Sequence, residues 1–198
     1  MKVISQIKNL DVLKILKDTG SILEGHFKLS SGYHSKYYLQ CASLLQYPDK
    51  ISNIIDSALE IIDKEIKKNI IQTVVSPAIG GILFGYLLAY KLKTRMIFTE
   101  RKKGKMELRR NFNIIPGENI LIAEDVITTG GSVFEVIDIC RKFEANIKGI
   151  ISIVDRSEKI KFNYPYFYLI KLKIENYLPS ECPLCKKNIE LDYPGSRK

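Results

Sequence analysis

The sequence predicts an α/β fold in which helices flank a mainly parallel central sheet. Apolar strand patterns alternate with amphipathic helix patterns from residue 70 onward, as expected for βαβ units with right-handed crossovers. The segments rich in small or charged residues follow the ends of these strands, where parallel sheets bind ligands. With 198 residues and 45% apolar content, the chain is expected to form one domain with a full core.

The amino-terminal part is predicted to contain a helix, a hairpin and a second helix. An amphipathic pattern over residues 5–18 predicts the first helix. Phe27 and Tyr37 alternate with polar residues on either side of an SSG turn, which predicts an antiparallel hairpin. Apolar residues at helical spacing over residues 51–62 predict the second helix.

The rest of the chain is predicted to alternate strands with helices. Strands are expected at 70–76, 96–99, 120–124, 150–155 and 166–171, with a helix at 82–92. A helix after residue 130 has a predicted core face of Val133, Val136, Ile137, Cys140 and Phe143. The single domain 1–198 would then comprise an N-terminal helix and hairpin (1–45), an α/β core (70–172) and a C-terminal extension (173–198).

Charge and hydropathy exclude several classes of protein. The net charge is +9, but 24 of the 31 basic residues are scattered lysines, so no nucleic-acid partner is expected. No run of about 18 apolar residues suggests a membrane span. The amino terminus lacks the apolar core and cleavage site of a signal peptide, so a cytoplasmic location is expected. Four cysteines are too few for a disulfide framework.

The segment LIAEDVITTGGS, residues 121–132, is the strongest functional signal in the sequence. An apolar strand ends in Glu124 and Asp125, whose charges are expected to reach solvent or a sugar hydroxyl. Residues 128–132 then supply hydroxyls and unhindered backbone N–H groups where a helix begins, which favours a phosphate site. The alternative is an ordinary strand–turn–helix with solvated acids, which is less compatible with the full twelve-residue pattern.

Three further segments follow strand ends, and each allows two interpretations. Residues 76–81, SPAIGG, form either an anion-binding loop or a plain tight turn. The basic segment 101–105, followed by Arg109 and Arg110, is either a mobile phosphate clamp or a solvated loop. Arg156 either binds a carboxylate or forms a surface ion pair. Their convergence on one edge of the sheet favours the binding interpretations.

LIAEDVITTGGS resembles the phosphoribosyl-diphosphate (PRPP) signature of the type I phosphoribosyltransferases. The hairpin segment GHFKLSSGYHSKYYLQ narrows this resemblance to the orotate phosphoribosyltransferase family, over nearly the whole chain. The resemblance implies the type I phosphoribosyltransferase fold with an N-terminal hood. It also implies Mg²⁺-dependent transfer of ribose 5-phosphate from PRPP to orotate, which gives orotidine 5′-monophosphate and pyrophosphate in pyrimidine biosynthesis.

The same resemblance assigns roles to residues. Residues 128–132 would hold the 5′-phosphate, the two acids would accept hydrogen bonds from ribose hydroxyls, and Thr128 and Arg156 would contact orotate, with Tyr37 and Tyr38 lining its pocket. Mg²⁺ would bridge pyrophosphate and ribose with few protein ligands. In a homodimer, the basic segment would act on the partner's site, with Lys105 and Asp125 as catalytic residues. The implied PRPP-binding set is Arg101, Lys102, Lys105, Glu124, Asp125, Val126, Ile127, Thr128, Thr129, Gly130, Gly131 and Ser132.

The sequence departs from the family pattern at three positions. Many members carry lysine where Ser30 and Gly80 stand, and histidine where Glu107 stands. Phosphate neutralisation is therefore expected to rest on Arg101 and Lys105. A general base is hard to assign, and Asp125 is the nearest candidate.

Two other functions remain open at this stage. A phosphoribosyltransferase for a purine base would share the PRPP signature. A non-catalytic regulator could use the same fold to bind nucleotide and RNA, although the scattered lysines do not favour it.

Cys182 and Cys185 form a lone CxxC in the C-terminal extension. Zinc would require two further ligands, and only His26 and His34 exist elsewhere in the chain. A redox role is a second possibility. Because no second metal-ligand pair is present in the sequence, we expect a structural or incidental pair and assign no metal ligand.

Overall fold

A computed structural model describes residues 2–5, 11–29 and 31–194, and it confirms the predicted α/β class. Its strands are β1 (Lys2–Ser5), β2 (Ile22–Lys28), β3 (His34–Leu39), β4 (Thr73–Pro77), β5 (Arg95–Lys102), β6 (Lys105–Leu108), β7 (Asn119–Ile127), β8 (Asn146–Asp155), β9 (Tyr166–Lys173) and β10 (Asn176–Tyr177). Its α-helices are α1 (Val12–Asp18), α2 (Ala42–Leu45), α3 (Pro48–Ile66), α4 (Gly80–Leu92), α5 (Gly131–Lys142) and α6 (Pro183–Lys186).

Within the described residues, the main sheet has seven strands in the order β1-β9-β8-β7-β4-β5-β6. Its five central strands, from β9 to β5, are parallel, and β1 and β6 pair antiparallel at the two edges. Strands β8, β7 and β4 are adjacent, so the segments that follow them meet at one edge of the sheet. This arrangement brings together the predicted functional segments.

Both faces of the sheet are covered by helices. One core cluster contains buried residues of α1, α2, α3 and α4, among them Leu16, Ile54 and Phe84. The other contains the buried face of α5, including Val136 and Cys140. Strands that are buried on both faces need continuous apolar runs, which explains the isoleucine-rich sequences of β7 and β8.

A small second sheet, ordered β10-β3-β2, contains the predicted hairpin. The strand β10, from the C-terminal extension, pairs with β3 on the side away from β2. The pairing register of β2 with β3 shifts between Glu24 and Phe27, and His26 and Phe27 are therefore both buried despite being neighbours. The division of the chain into hood, core and extension remains a prediction.

The structure corrects three local predictions. Residues 2–5, of which residue 5 was assigned to the first helix, form the antiparallel edge strand β1, and the described helix begins only at Val12. Pairing with β9 satisfies backbone groups of that strand, which outweighs the local helical pattern. Phe143, predicted to face the core, is 40% exposed because it lies past the end of α5. The strand containing Glu124 continues to Ile127.

No helix of the described ranges is both long and apolar enough to cross a membrane.

Candidate active site

The candidate phosphate site lies between the end of β7 and the start of α5. Gly130 precedes the helix with φ of 76°, a conformation that favours glycine, and a Cβ there would lie 2.0 Å from Ile160 Cδ1. A cavity at this turn is lined by Glu124 and by residues 126–133. Because the helix N-terminus directs backbone N–H groups into the cavity, the geometry suits an anion.

The two acids at the end of β7 lie in different surroundings. Glu124 is buried, with only 8% exposed, which differs from the expectation that its charge reaches solvent; Asp125 is partly exposed. The Asp125 N–H donates to Glu124 Oε1 at 3.1 Å, and the Val126 N–H donates to Asp125 Oδ1 at 2.9 Å. Burial, together with the neighbouring Asp125 carboxyl, raises the pKa of Glu124 well above its usual value. The pair is therefore unfavourable for two negative charges without a ligand or cation.

The SPAIGG loop packs directly against this acid pair. The Ala78 N–H donates to Thr99 O at 2.7 Å, which ties the loop to the neighbouring strand β5. A Cβ at Gly80 would lie 2.6 Å from both carboxylate oxygens of Asp125, and one at Gly81 would lie 3.0 Å from Glu124 Oε1. The observed position of Asp125 therefore leaves no room for a side chain at residue 80, where the family pattern often has lysine.

Arg156 follows β8 and lies beside the phosphate turn. Its N–H donates to Ile127 O at 2.7 Å, which fixes its backbone against the last residue of β7. Its Nε is buried without a hydrogen-bond partner, and among the described residues no carboxylate forms an ion pair with it. Burial lowers the pKa of Arg156, and the Cys41 and Tyr38 side chains lie close enough to oppose this shift. The surface-ion-pair interpretation is therefore wrong.

The pairing of neighbouring charges explains why Arg156 has no acidic partner in the part of the chain that the structure describes. Asp155, which immediately precedes it, is buried and pairs with Lys171 Nζ at 2.6 Å, while its other oxygen accepts the Ser157 N–H at 2.7 Å. That carboxylate is already neutralised. Tyr38, predicted to line the base pocket, lies near Arg156, whereas the Tyr37 ring contacts the Lys36 ammonium at 5.6 Å.

The basic segment forms a hairpin of β5 and β6 with Lys103 and Gly104 in the turn, both at positive φ. Arg101 forms a bidentate ion pair with Glu135 of α5, and its Nη1 also donates to Gly104 O at 3.0 Å. Lys102 and Lys105 pair across the hairpin and are exposed. The hairpin thus lies beside α5, but Arg101 is engaged by its own chain and does not line the cavity.

Two pairs of charges at this edge were missed by the sequence analysis. Glu135 holds Arg101, and Lys171 holds Asp155. Asp155 is the last residue of β8 and Lys171 lies within β9, and no local sequence pattern predicts their contact, because it depends on strand register. Arg109 and Arg110 both pair with Glu100, so they too are engaged within the chain. Ser30 lies outside the described residues.

The structure contradicts the basis for treating the CxxC as incidental. His26, His34, Cys182 and Cys185 form one cluster, in which one ligand atom from each residue lies within 4.8 Å of the others. The sequence gave no spacing signal, because the histidines precede the cysteines by about 150 positions. The hairpin and the C-terminal extension bring them together.

A phosphoribosyl transferase domain model matches residues 42–179. The protein of Chlorobaculum parvum named orotate phosphoribosyltransferase is 46% identical over 190 residues, which cover 96% of this chain and 96% of that protein. The chain therefore belongs to the phosphoribosyltransferase family and, within it, to the orotate phosphoribosyltransferases.

Solved structures share this fold. The orotate phosphoribosyltransferase of Aeropyrum pernix matches with a TM-score of 0.57 and 27% identity, covering 73% of this chain and 81% of that one. The adenine phosphoribosyltransferase of Saccharomyces cerevisiae matches with a TM-score of 0.64 and 19% identity, covering 79% of this chain and 99% of that one. The fold alone serves enzymes with different bases, so the assignment to orotate rests on the sequence relatives.

Proposed function

We propose that the chain transfers ribose 5-phosphate from PRPP to orotate, releasing pyrophosphate and forming orotidine 5′-monophosphate. The observation that carries this proposal is Arg156, whose buried Nε has no hydrogen-bond partner, which has no acidic partner among the described residues, and whose backbone is fixed beside the phosphate turn. A guanidinium binds a carboxylate through two parallel hydrogen bonds, and orotate carries a carboxylate. Adenine and hypoxanthine carry none, so the site favours orotate over the purine alternative.

The arrangement supports a transfer that relies on positioning and electrostatics. The turn of residues 128–132 would hold the 5′-phosphate at the start of α5, and the SPAIGG loop would face the pyrophosphate. Glu124 and Asp125 would accept hydrogen bonds from the ribose hydroxyls. Positive charge develops on the ribose as pyrophosphate leaves, and the nearby carboxylates would stabilise it. Holding both substrates in line lowers the entropic barrier.

The donor atoms of the site fit Mg²⁺. Magnesium prefers carboxylate and phosphate oxygens, and a cation beside buried Glu124 and partly exposed Asp125 would favour the charged form of Glu124, which burial and Asp125 otherwise disfavour. Bound with PRPP, the cation would offset the charge of the pyrophosphate. Glu124 and Asp125 are the residues that would face it, directly or through water.

A homodimer is supported by an exposed apolar stripe on α4. Ile79, Leu83, Tyr86 and Tyr90 recur at helical spacing and are 53% to 85% exposed. The stripe begins at the SPAIGG loop, so a second copy seated there would lie close to the active site. A Tyr86→Glu variant should become monomeric by size-exclusion chromatography with light scattering. Action of Lys102 and Lys105 on the partner's site, and a cytoplasmic location, remain predictions.

The decisive experiment is an absorbance assay of orotate consumption with PRPP and Mg²⁺. We expect turnover with orotate, none with adenine or hypoxanthine, and loss of turnover when Mg²⁺ is chelated. Turnover with a purine base and not with orotate would establish the purine alternative. Absence of turnover with every base, in protein that binds nucleotide and RNA, would favour the non-catalytic regulator.

Arg156→Met tests the residue that carries the proposal. Loss of a buried charged hydrogen-bonding partner costs about 2–5 kcal/mol, so kcat/KM for orotate should fall at least about thirtyfold. Arg141→Met is the matched control, since Arg141 is exposed and its Nε donates to Tyr164 OH. Equal activity of the two variants would contradict the assignment of Arg156.

A further inference from the structure

The cluster of His26, His34, Cys182 and Cys185 has the chemistry of a closed zinc site. Two imidazole nitrogens and two thiol sulfurs form a donor set typical of structural zinc, and Mg²⁺ prefers oxygen ligands. His26, His34 and Cys182 are buried, while Cys185 is partly exposed. The site is separate from the acid pair and phosphate turn described above, and transfer of the ribose uses none of its residues.

The distances between the ligand atoms match a tetrahedral site. His26 Nε2 lies 3.0 Å from His34 Nδ1, and the sulfur-to-nitrogen distances are 3.5 Å for Cys182 to His26, 3.7 Å for Cys185 to His26 and 3.3 Å for Cys185 to His34. Zinc bond lengths imply tetrahedral edges of about 3.3 Å between nitrogens and about 3.5 Å between nitrogen and sulfur. Four of the six edges of the cluster therefore match a tetrahedral zinc site, and all four donor atoms lie within 4.8 Å of one another.

A second contact orients one ligand toward this centre. His26 Nδ1 lies 2.8 Å from Ile189 O, a carbonyl that can only accept, so Nδ1 carries a proton and the neutral ring presents the Nε2 lone pair to the cluster. Zinc-binding histidines commonly donate their other N–H to a backbone carbonyl in this way. This lone pair, the two cysteine sulfurs and the second imidazole point to one centre, where a cation would bind all four.

The site would join three segments of the chain. His26 lies in β2 and His34 in β3, while Cys182 precedes α6 and Cys185 lies within it. The extension also pairs with the hairpin on both sides of the cluster, through Tyr177 opposite His34 and through Asp192, whose N–H donates to His26 O at 2.8 Å. A metal here would fasten the extension to the hairpin.

We propose that His26, His34, Cys182 and Cys185 bind one structural Zn²⁺, which fastens the C-terminal extension to the hairpin that carries Tyr38. Zinc would bind the two thiolates with release of their protons and with no redox change. The competing chemistry is a Cys182–Cys185 disulfide. It would use the same sulfurs but give no role to the two converging histidine nitrogens.

Metal content tests the proposal without reference to transferase activity. The full chain, purified with a histidine-free tag, should contain about one zinc per chain by elemental mass spectrometry. His34→Ala should lose most of the metal, while Cys140→Ala, which removes a buried cysteine outside the cluster, should retain it. Chelation should lower Tm of the wild-type chain and of the Cys140→Ala chain by several degrees.

Cobalt substitution keeps the test independent of variants that fail to fold. The wild-type chain loaded with Co²⁺ should show intense visible bands of tetrahedral cobalt and a near-ultraviolet thiolate charge-transfer band. Cys185→His, which keeps four ligands, should retain the visible bands and lose about half of the charge-transfer intensity. Wild-type protein that takes up neither metal in stoichiometric amount, or that carries a Cys182–Cys185 disulfide as purified, would overturn the proposal.

Discussion

The two ends of β7 carry buried glutamates in opposite electrostatic surroundings. Glu118, just before the strand, is 7% exposed and accepts hydrogen bonds from the Thr73 hydroxyl, the Arg95 guanidinium and the Ile115 N–H. Burial acts to raise its pKa, but these donors and the Arg95 charge outweigh burial, so the pKa of Glu118 is lowered. The amino end of the strand is satisfied within the chain.

The carboxyl end of the same strand is left unsatisfied. Glu124 is as buried as Glu118 but adjoins another carboxyl, and its pKa is raised by burial and by Asp125. Arg156, on the neighbouring strand end, has a buried nitrogen without a partner. A ligand that brings a cation to Glu124 and Asp125 and a carboxylate to Arg156 would satisfy both groups at this edge of the sheet. The comparison predicts that stability and ligand binding depend on opposite ends of one strand.

The largest expected effect at the ligand end is that of Asp125→Asn. The change keeps the shape but removes the carboxylate that would stabilise the ribose cation, so kcat should fall about a hundredfold or more. Asp138→Asn, an exposed change on α5, should leave kcat unchanged. Steady-state kinetics with orotate and PRPP provide the measurement. If Asp125→Asn had the wild-type kcat, the Asp125 carboxylate would not be needed to stabilise the ribose cation.

At the opposite end, Glu118→Gln should reduce stability without affecting catalysis. Loss of the charge opposite Arg95 should lower the free energy of unfolding by about 1–2 kcal/mol, or Tm by about 2–8 °C. Thermal unfolding should show this against Glu65→Gln, an exposed change on α3. A large fall in kcat at unchanged Tm would show that the two ends are not separate in function.

Glu124→Gln should have the reverse effect on the ligand-free protein. It removes an acid that the fold disfavours in its charged form, so the free energy of unfolding near pH 8 should rise by about 1 kcal/mol. Because the same carboxylate would serve the ribose hydroxyls, kcat/KM should fall about tenfold. A variant that is less stable than wild type at pH 8 would contradict the raised pKa.

The stability of Glu118→Gln and of Glu124→Gln relative to wild type should depend on pH with opposite sign. The pKa of Glu118 is lowered by folding, so its stabilisation is present above an unfolded pKa of about 4.3 and is lost as pH falls through the folded value. The deficit of Glu118→Gln should therefore shrink in acid. The pKa of Glu124 is raised, so its destabilisation grows as pH rises above about 4.3, and the gain from Glu124→Gln should vanish in acid. Tm measured from about pH 2.5 to pH 8 would separate the two variants, because the Glu118 effect is lost only below about pH 4.3. Parallel curves would refute the contrast.

The smallest expected effect concerns the hairpin beside the ligand end. Glu135→Gln should weaken the hold on Arg101, and an exposed pair of this kind is worth about 0–1 kcal/mol. If Arg101 binds PRPP, KM for PRPP should fall about two- to threefold, whereas Arg101→Ala should raise it. If Glu135→Gln and Arg101→Ala shifted KM for PRPP in the same direction, the Arg101–Glu135 ion pair would have a structural role and Arg101 would not bind PRPP.

Patterns within short stretches of the sequence predicted most of the helices and strands, and they predicted the part of the candidate site that lies in residues 121–132. LIAEDVITTGGS contains the strand, the acids and the turn proposed to bind phosphate in one run, so its local pattern was sufficient to predict these elements. The relatives confirm the family and the orotate phosphoribosyltransferase function, whereas the individual site roles, Mg²⁺ and the dimer remain predictions. The burial of Glu124 could not be predicted, because it depends on the close packing of the SPAIGG loop.

Features formed by distant segments were missed for a physical reason. The strand β1 forms because β9 offers an edge with which it can pair. The cluster of His26, His34, Cys182 and Cys185 forms because a shift in strand register buries His26 next to Phe27. Neither signal exists within a short window of sequence. The sequence shows only that two histidines accompany the CxxC, and we assign no metal ligand from it; the pairing of β3 with β10 brings the histidines and the cysteines together.

The contact between Gly80 and Asp125 has an evolutionary consequence. A side chain at residue 80 would collide with the carboxylate as it stands, so lysine can enter only if Asp125 adopts another rotamer or the loop shifts. The two positions should therefore be epistatic: the effect of Gly80→Lys should depend on whether residue 125 is aspartate or alanine. In a lineage that has glycine at residue 80, Asp125 would then disfavour substitution by lysine, even where a further positive charge near pyrophosphate would benefit the reaction.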